Sequence, residues 1–209
     1  PLFGTDSRMM PMLDKCTTKS WETSLYEPQQ LYYNLMGEKI LTDKNVKSAY
    51  YMAKHKQSCD SPAWDGMTRT ILIDGMEQDQ AWSLIRYHIL HGPSDCVKRF
   101  DIPKSNGKTR PISIYPLLDR VAQWCIMGPL SKACGPLLSP INHAFQKGKS
   151  CKTAFEAFPP AGEAGYVICG DIHSFFDTVS HSLVRACLWS AGIRDSQLLH
   201  TINVTLKTP

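Results

Sequence analysis

The chain has 209 residues, of which 43% are hydrophobic and 20% charged, a composition typical of a folded globular protein of one or two domains and not of a disordered chain. The formal net charge of +4 is too small to indicate nucleic-acid binding unless the basic residues cluster. No apolar run approaches the roughly 18 residues of a membrane span and no secretory signal is present, so we expect no membrane association.

The eight cysteines are scattered and include no C-x-x-C pair, which argues against a zinc site or a disulfide framework and for reduced thiols in an intracellular protein. Cys125, Cys169 and Cys187 have apolar neighbours in the sequence and are predicted to pack as small hydrophobic side chains. The chain starts at Pro1 and stops directly after a helical pattern. We therefore expect a fragment, a processed chain or one half of a split protein.

The N-terminal region predicts an extended arm over residues 1–20, then helical faces over Trp21–Leu35 on either side of Pro28. Asp43 is predicted to cap a helix that runs through Gln57. The apolar face of that helix carries Val46, Tyr50 and Ala53, and the lysines around it are Lys44, Lys47, Lys54 and Lys56. This basic face either lies on RNA or is simply solvated.

A loop with a turn at Asp65-Gly66 is predicted over Ser58–Thr70, followed by a helix over Glu77–His91. His88 and His91 are three residues apart in that helix, but no third ligand is placed nearby, so we predict no metal site there. A further helix is expected over Asp119–Ser131, and Pro129 should limit its length.

Two strands, Val97–Pro103 and Ile112–Ile114, are predicted to form a hairpin around Asn106-Gly107, the strongest short-range hairpin signal in the chain. The basic residues Lys104, Lys108 and Arg110 cluster at its tip. Guanidinium and ammonium groups are the donors that hold a triphosphate. The alternative is an exposed hairpin that carries charge for solubility.

Phe145–Ser150 is a basic glycine loop without the spacing of a phosphate-binding P-loop, followed by a short helix over Cys151–Phe158 and a flexible link over Pro159–Gly165. Tyr166–Cys169 then predicts a buried strand that places Asp171 at its end.

Asp177 is predicted to cap the helix that follows, whose apolar positions are Val179, Leu183, Ala186 and Cys187. A carboxylate between a strand end and a helix start suits a divalent ion such as Mg²⁺. The alternative is that Asp171 is a solvated turn residue and that the aromatic pair Phe175 and Phe176 is ordinary core.

The order of the motifs is more specific than any one of them. The motifs are D-G-M-T at 65–68, V-K-R-x-x-I-P-K at 97–104, N-G-K-x-R-P-I at 106–112, D-R-V-x-Q at 119–123, F-x-x-G-K-S at 145–150 and D-I-x-S-F-F-D-x-V-x-H at 171–181. Together they resemble the N-terminal half of a group II intron-type reverse transcriptase, also called a maturase, over about residues 60–207.

The resemblance implies an α+β fold, the fingers and the start of the palm of a right-hand polymerase. Residues 1–60 would form an N-terminal helical arm, 61–160 the fingers with an antiparallel hairpin, and 161–209 the start of the palm. The rest of the palm and the thumb would be absent.

The resemblance also implies the roles of individual residues. Asp171 would be the first catalytic aspartate and would ligate two Mg²⁺ ions, with Mn²⁺ as an alternative, and the carbonyl of Ile172 would add a ligand. Lys104 and Arg110 would grip the incoming triphosphate, and Phe176 would pack beneath the sugar and exclude a 2′ hydroxyl. Ser174 and Phe175 would complete the nucleotide pocket. The RNA and template contacts would come from Arg120, Gln123, Gln146, Lys147, Gly148 and Lys149.

Some features depart from the family pattern. Trp64 replaces a small apolar residue, the usual F-R-P-G-R-S is F-Q-K-G-K-S, and the Y-x-D-D box with the remaining catalytic aspartates is missing. We therefore expect an RNA-directed DNA polymerase part that is inactive alone and needs a C-terminal palm and thumb, from the same or a separate chain.

The partners implied are template or intron RNA, a DNA or RNA primer and dNTPs, with a further role in splicing. The location implied is the bacterial cytoplasm or an organelle such as the mitochondrion. The alternative function is a catalytically silent RNA-binding or assembly module within a ribonucleoprotein.

Overall fold

The structure is a computed structural model that describes residues 30–103, 105, 107–158, 166 and 168–207, with Phe176 and Asp177 described by their backbone alone. The predicted arm over 1–20, nearly all of the helical region Trp21–Leu35 and the link Pro159–Gly165 lie outside the described residues. Lys104 and Asn106 of the hairpin tip also lie outside them.

The described secondary structure consists of α-helices with one antiparallel hairpin. The elements are α1 Asp43–His55, α2 Arg69–Ile73, α3 Gln78–His91, β1 Lys98–Pro103, β2 Thr109–Ile114, α4 Leu117–Cys134, α5 Cys151–Glu156, α6 Phe175–Thr178, α7 His181–Ser190 and α8 Ser196–Lys207. A π-helical turn covers Met36–Ile40, and short 3₁₀ turns cover Gln57–Asp60 and Gly135–Leu137. None of these helices has both the length and the apolar character needed to cross a membrane.

Helix α4 lies at the centre of the packing and contacts α1 and α3. Its apolar residues Val121 and Cys125 are four apart and fully buried, as are Ile85 and Ile89 of α3. This spacing places each pair on one helix face, so burying that face against a neighbour removes a continuous apolar stripe from water. The result is a core built from helices.

Residues 32–36, which we call the N-terminal segment, are attached to the start of α8 and the residues just before it. The attachment consists of main-chain and carboxylate hydrogen bonds. Tyr32 N donates to Gly192 O at 2.9 Å, and Arg194 N donates to Tyr32 O at 2.8 Å. The buried Asp195 carboxylate accepts from Met36 N at 2.7 Å and, as the cap of α8, from Leu198 N at 3.0 Å. One aspartate therefore connects segments 159 residues apart.

The core cluster draws residues from all three predicted domain ranges. Ile40, Val121 and Leu198 belong to the same buried cluster although each comes from a different range. The domain boundaries stay a prediction, but the described parts of the ranges share one core.

The α+β character, α1, α3 and the hairpin are confirmed, with changes at the element ends. Helix α1 begins after Thr42, so Asp43 is its first residue and not its cap, and the helix ends at His55. The short helix α2 was not predicted; Thr68 caps it by accepting from Ile71 N at 3.4 Å.

Helix α4 continues through Pro129 to Cys134, and the predicted end at Ser131 is wrong. A proline inside a helix has no N–H to donate, so it leaves the carbonyl four residues earlier, that of Cys125, without its helical partner. Here the side-chain amide of Asn45 in α1 donates to that carbonyl at 2.9 Å and to Ile40 O at 2.8 Å. The helix survives its proline because a neighbouring helix supplies the missing donor.

Replacing Asn45 by alanine should lower the free energy of unfolding by about 2 kcal/mol, because two carbonyls lose their donor. Chemical denaturation measures the change. The loss should shrink in a Pro129→Ala background, where residue 129 regains an N–H for the Cys125 carbonyl. An equal loss in both backgrounds would show that Asn45 does not compensate for the proline.

Candidate nucleotide-binding and nucleic-acid site

The segment that carries Asp171 is exposed and irregular in the described residues. Ile168 and Ile172 are 83% and 64% exposed, and neither belongs to a strand. The predicted buried strand over Tyr166–Cys169 is therefore wrong for the residues that the structure describes. A strand is stable only with a hydrogen-bonded neighbour, and the strands described here pair with each other in the hairpin.

The chain turns sharply between Asp171 and α7. Ser174 has φ 48°, an uncommon left-handed conformation, and precedes the single turn of α6. Thr178 Oγ1 donates to Ser174 O at 3.0 Å and holds this turn together. The predicted cap is wrong: Asp177 lies inside α6, and Ser180 caps α7 by accepting from Leu183 N at 3.4 Å.

The segment around Asp171 offers some of the ligands that a metal ion needs, but not a full set among the described residues. The exposed Asp171 carboxylate and the main-chain carbonyl of Ile172 are hard oxygen ligands of the kind Mg²⁺ prefers. Among the residues that the structure describes, no group of three His, Cys, Asp or Glu side chains is arranged to hold a metal. The acids after Asp171 are Asp177 and Asp195, and Asp195 is buried and already bonded to two main-chain N–H groups.

The basic hairpin is confirmed, and its register places Arg110 on a defined face. Arg110 lies opposite Ile102, and Ile112 lies opposite Phe100. Directly opposite residues share a face, and alternate residues along a strand do too, so Arg110 stands on the half-exposed apolar face. The loop between the last paired residues spans 104–108, and Gly107 has the positive φ of 76° that its turn requires.

The base of the hairpin contacts the loop before α2. Trp64 N donates to Cys96 O at 3.1 Å, and the Lys98 ammonium lies 5.5 Å from the centre of the Trp64 ring. The turn at Asp65-Gly66 is confirmed, with Gly66 at φ 70°. These contacts fix the base of the hairpin to the loop before α2, and the described tip residues Ser105, Gly107 and Lys108 are exposed.

Arg120, a predicted template contact, is bonded to the protein itself. Its guanidinium donates to Ser58 O at 2.8 Å and to Ser61 O at 3.1 Å, at the end of the 3₁₀ turn. Gln123, one turn further along α4, is half-buried and lines a small cavity together with His88 and Asp119. The RNA contacts of Arg120 and Gln123 stay predictions. In the structure Arg120 donates to main-chain carbonyls and Gln123 lines a cavity.

Asp119 forms a buried polar network that was not predicted from the sequence. Its carboxylate lies 2.7 Å from His88 Nδ1 and accepts from Ser94 N at 2.9 Å and Ser94 Oγ at 3.1 Å. A buried carboxylate requires such partners. His88 of α3 therefore contacts an aspartate of α4. The sequence signal that could have indicated the network was the position of Asp119, an acid within an apolar helical pattern.

The loop Phe145–Ser150 is ordered by its own polar side chains. Lys149 Nζ donates to Pro140 O at 2.5 Å and Asn142 O at 2.8 Å, and Gln146 Nε2 donates to Asn142 O at 2.7 Å. Lys147 is exposed on the same loop. Of the two predicted lysine contacts, Lys149 stabilises the loop and Lys147 faces solvent.

The loop also contains conformations that a plain coil would not adopt. Phe145 has φ 55° and is 99% exposed, and Gly148 has φ 80°. The capping box of Ser150 and Thr153 starts α5 immediately afterwards. The loop is therefore an ordered turn that exposes the ring of Phe145 and the ammonium group of Lys147.

Of the three cysteines predicted to pack as small hydrophobic side chains, one is buried and two are exposed. Cys125 is buried as expected, and burial raises the pKa of its thiol to about 12. Cys169 and Cys187 are exposed, so their predicted apolar packing is wrong in this structure. Helix α7 turns His181, Val184 and Leu188 toward the protein and leaves Cys187 on the outer side.

Replacing Lys149 by methionine should open the 145–150 loop, because two carbonyls lose their donor. Chymotrypsin cleavage after Phe145 should then be about tenfold faster. Lys147→Met removes the same charge from the same loop and should leave the cleavage rate unchanged. Equal rates in the two variants would contradict the structural role of Lys149.

Comparison with known proteins assigns the chain to a family. The profile of the family described as "Reverse transcriptase (RNA-dependent DNA polymerase)" matches residues 102–207. The chain is 28% identical over 155 residues to protein YkfC of Escherichia coli, a match that covers 70% of this chain and 40% of that protein.

Intron-encoded proteins also match. The group II intron-encoded protein LtrA of Lactococcus lactis is 31% identical over 113 residues, covering 53% of this chain and 19% of LtrA. A 91 kDa protein in the cob intron of Schizosaccharomyces pombe is 30% identical over 110 residues, covering 52% of this chain and 14% of that protein. The chain thus spans at most 40% of the length of these relatives.

Proposed function

Because this chain belongs to the reverse transcriptase family and is of the group II intron type, we propose that it is the N-terminal part of an RNA-directed DNA polymerase. The observation that carries the proposal is the continuous family match over residues 102–207, which includes both the basic hairpin residue Arg110 and the Asp171 segment. The reaction is template-directed transfer of a nucleotide to a primer 3′ hydroxyl.

Asp171 and Ile172 supply the metal ligands of this chain in the proposed reaction. Mg²⁺, when bound, supplies charge stabilisation at the α-phosphate and at the departing pyrophosphate. The exposed carboxylate of Asp171 is suited to this task because a metal ion can reach it from solvent. The sharp turn at Ser174 then places the Phe175–Phe176 backbone directly after the ligand.

Arg110 and Lys104 hold the triphosphate in the proposal. The exposed guanidinium of Arg110 can form paired hydrogen bonds to phosphate oxygens, and its position on a hairpin strand limits its motion. Phe176 excludes a 2′ hydroxyl beneath the sugar, and Ser174 and Phe175 complete the pocket. These roles are carried over from the family motifs.

The proposed centre needs carboxylates beyond Asp171. Asp195 is not available as a ligand, because its carboxylate is buried and accepts from Met36 N and Leu198 N. We therefore propose that this chain is inactive alone. A palm and thumb portion would supply the remaining carboxylates.

The proposed nucleic-acid partners are template or intron RNA and a primer strand. The exposed Lys44 and Lys54 of α1 and Lys147 of the 145–150 loop are suited to phosphate contacts. A role in intron splicing and an intracellular location, in bacteria or an organelle, belong to the same proposal.

Replacing Asp171 by alanine should reduce primer extension by about 10³-fold or more, because metal-assisted charge stabilisation contributes several kcal/mol. Extension is measured with the chain completed by its C-terminal portion. His173→Ala, two residues away and also exposed, is the matched control and should extend normally. Equal extension by the parent and the Asp171 variant would refute the catalytic assignment.

Arg110→Gln should raise the KM for dNTP about tenfold through the loss of paired phosphate hydrogen bonds. Steady-state extension against dNTP concentration measures it. Arg99→Gln removes the same charge from β1 on the opposite face, since Arg99 pairs with Ser113, and should change the KM little. A larger effect at Arg99 than at Arg110 would place the triphosphate on the other face of the hairpin.

A further inference from the structure

An open groove lies between helices α7 and α8, and the proposed polymerase centre does not use it. Its volume is about 510 Å³, within the range of roughly 300–1,000 Å³ typical of ligand sites. The side chains that define it are Arg185, Ala186 and Trp189 of α7 and Leu199, His200 and Asn203 of α8. Neither the hairpin nor Asp171 lines it.

The charge of this part of the surface has one sign. Residues 178–207 contain a single acidic residue, Asp195, which is only 4% exposed and is bonded to main-chain N–H groups. Arg185 and His200 are exposed on opposite walls of the groove. A ligand in the groove therefore meets cationic and polar groups and no exposed carboxylate, which favours an anion.

Trp189 gives the groove a fixed aromatic wall. The indole is 52% exposed, and the Arg194 guanidinium carbon lies 3.9 Å from the ring centre. Arg194 also donates to the main-chain carbonyl of Trp189, which holds the guanidinium against the ring. A ring held in this way loses little conformational freedom when a second planar group stacks on it.

Small and polar neighbours leave space beside this ring. Ala186 lies one helical turn before Trp189 and is also in the groove, so no bulky side chain of α7 fills that position. Asn203 of α8 offers both hydrogen-bond donors and acceptors to a ligand.

We propose that this groove binds a short stretch of single-stranded nucleic acid, with an unpaired base on Trp189 and a phosphate between Arg185 and His200. Stacking on aromatic rings combined with a basic groove is how proteins grip unpaired strands. An acidic peptide would contact Arg185 and His200 but would not use the flat face of the Trp189 indole. The site is additional to the polymerase centre, and it would hold a strand outside that centre.

The test uses the 209-residue chain and a fluorescent uridine octamer, as RNA and as its deoxy counterpart. Trp189→Ala should weaken binding about tenfold, and Trp189→Phe should retain most of the affinity. Arg185→Gln should reduce the slope of log affinity against log salt by about 0.7, the loss of one phosphate contact. Leu183→Ala changes an exposed residue of the same helix that does not line the groove, and it should bind like the parent.

Photo-crosslinking of the unmodified chain to a 5-bromouridine octamer gives a readout that needs no variant. Cross-links within residues 182–203 support the groove. Cross-links confined to the hairpin or the 145–150 loop, with unchanged affinity in Trp189→Ala, would overturn it and leave the polymerase proposal intact.

Two further outcomes separate the alternatives. Tighter binding of a polyglutamate peptide than of either octamer would assign the groove to an acidic protein and overturn the proposal. Asp171→Ala tests the polymerase proposal separately. It should leave the octamer affinity of the 209-residue chain unchanged, and it should reduce extension about 10³-fold or more in the chain completed by its C-terminal portion.

Discussion

The fold depends on side chains that satisfy main-chain groups left without partners by short and interrupted elements. A buried carbonyl or N–H without a partner costs free energy comparable to a lost hydrogen bond. The proline in α4 creates such a carbonyl, and Asn45 supplies its donor from α1. Asp195 does the same for an N–H in the N-terminal segment, and it thereby attaches that segment to α8.

The same constraint divides the predicted nucleic-acid residues into two groups. Arg120 and Lys149 donate to loop carbonyls, so their cationic ends are occupied inside the protein. Arg110 and Lys147 are exposed, and they are among the cations to which the proposal assigns phosphate contacts. A basic residue within a family motif can thus serve to shape a loop, and its charge alone does not show which role it has.

The exposed apolar residues around Asp171 have a physical explanation within the proposed function. Ile168 and Ile172 carry the composition of a buried strand, yet both face solvent here. Strand formation requires a neighbouring strand to accept and donate hydrogen bonds. A palm portion that supplied this neighbour would also cover these side chains, so the composition of the segment agrees with the proposed need for a second part.

Local patterns in the sequence were enough to determine the helices α1 and α3 and the hairpin, because apolar periodicity and turn residues act over short distances. The family followed from the order of the motifs along the chain. Tertiary structure alone decided that α4 passes through Pro129, that Asp119 binds His88, and that the cations of Arg120 and Lys149 are used internally. Each of these depends on a partner far away in the chain or on another element. The propensity of a residue says that it needs a hydrogen-bond partner or a neighbouring strand, but only the folded chain determines which group provides it.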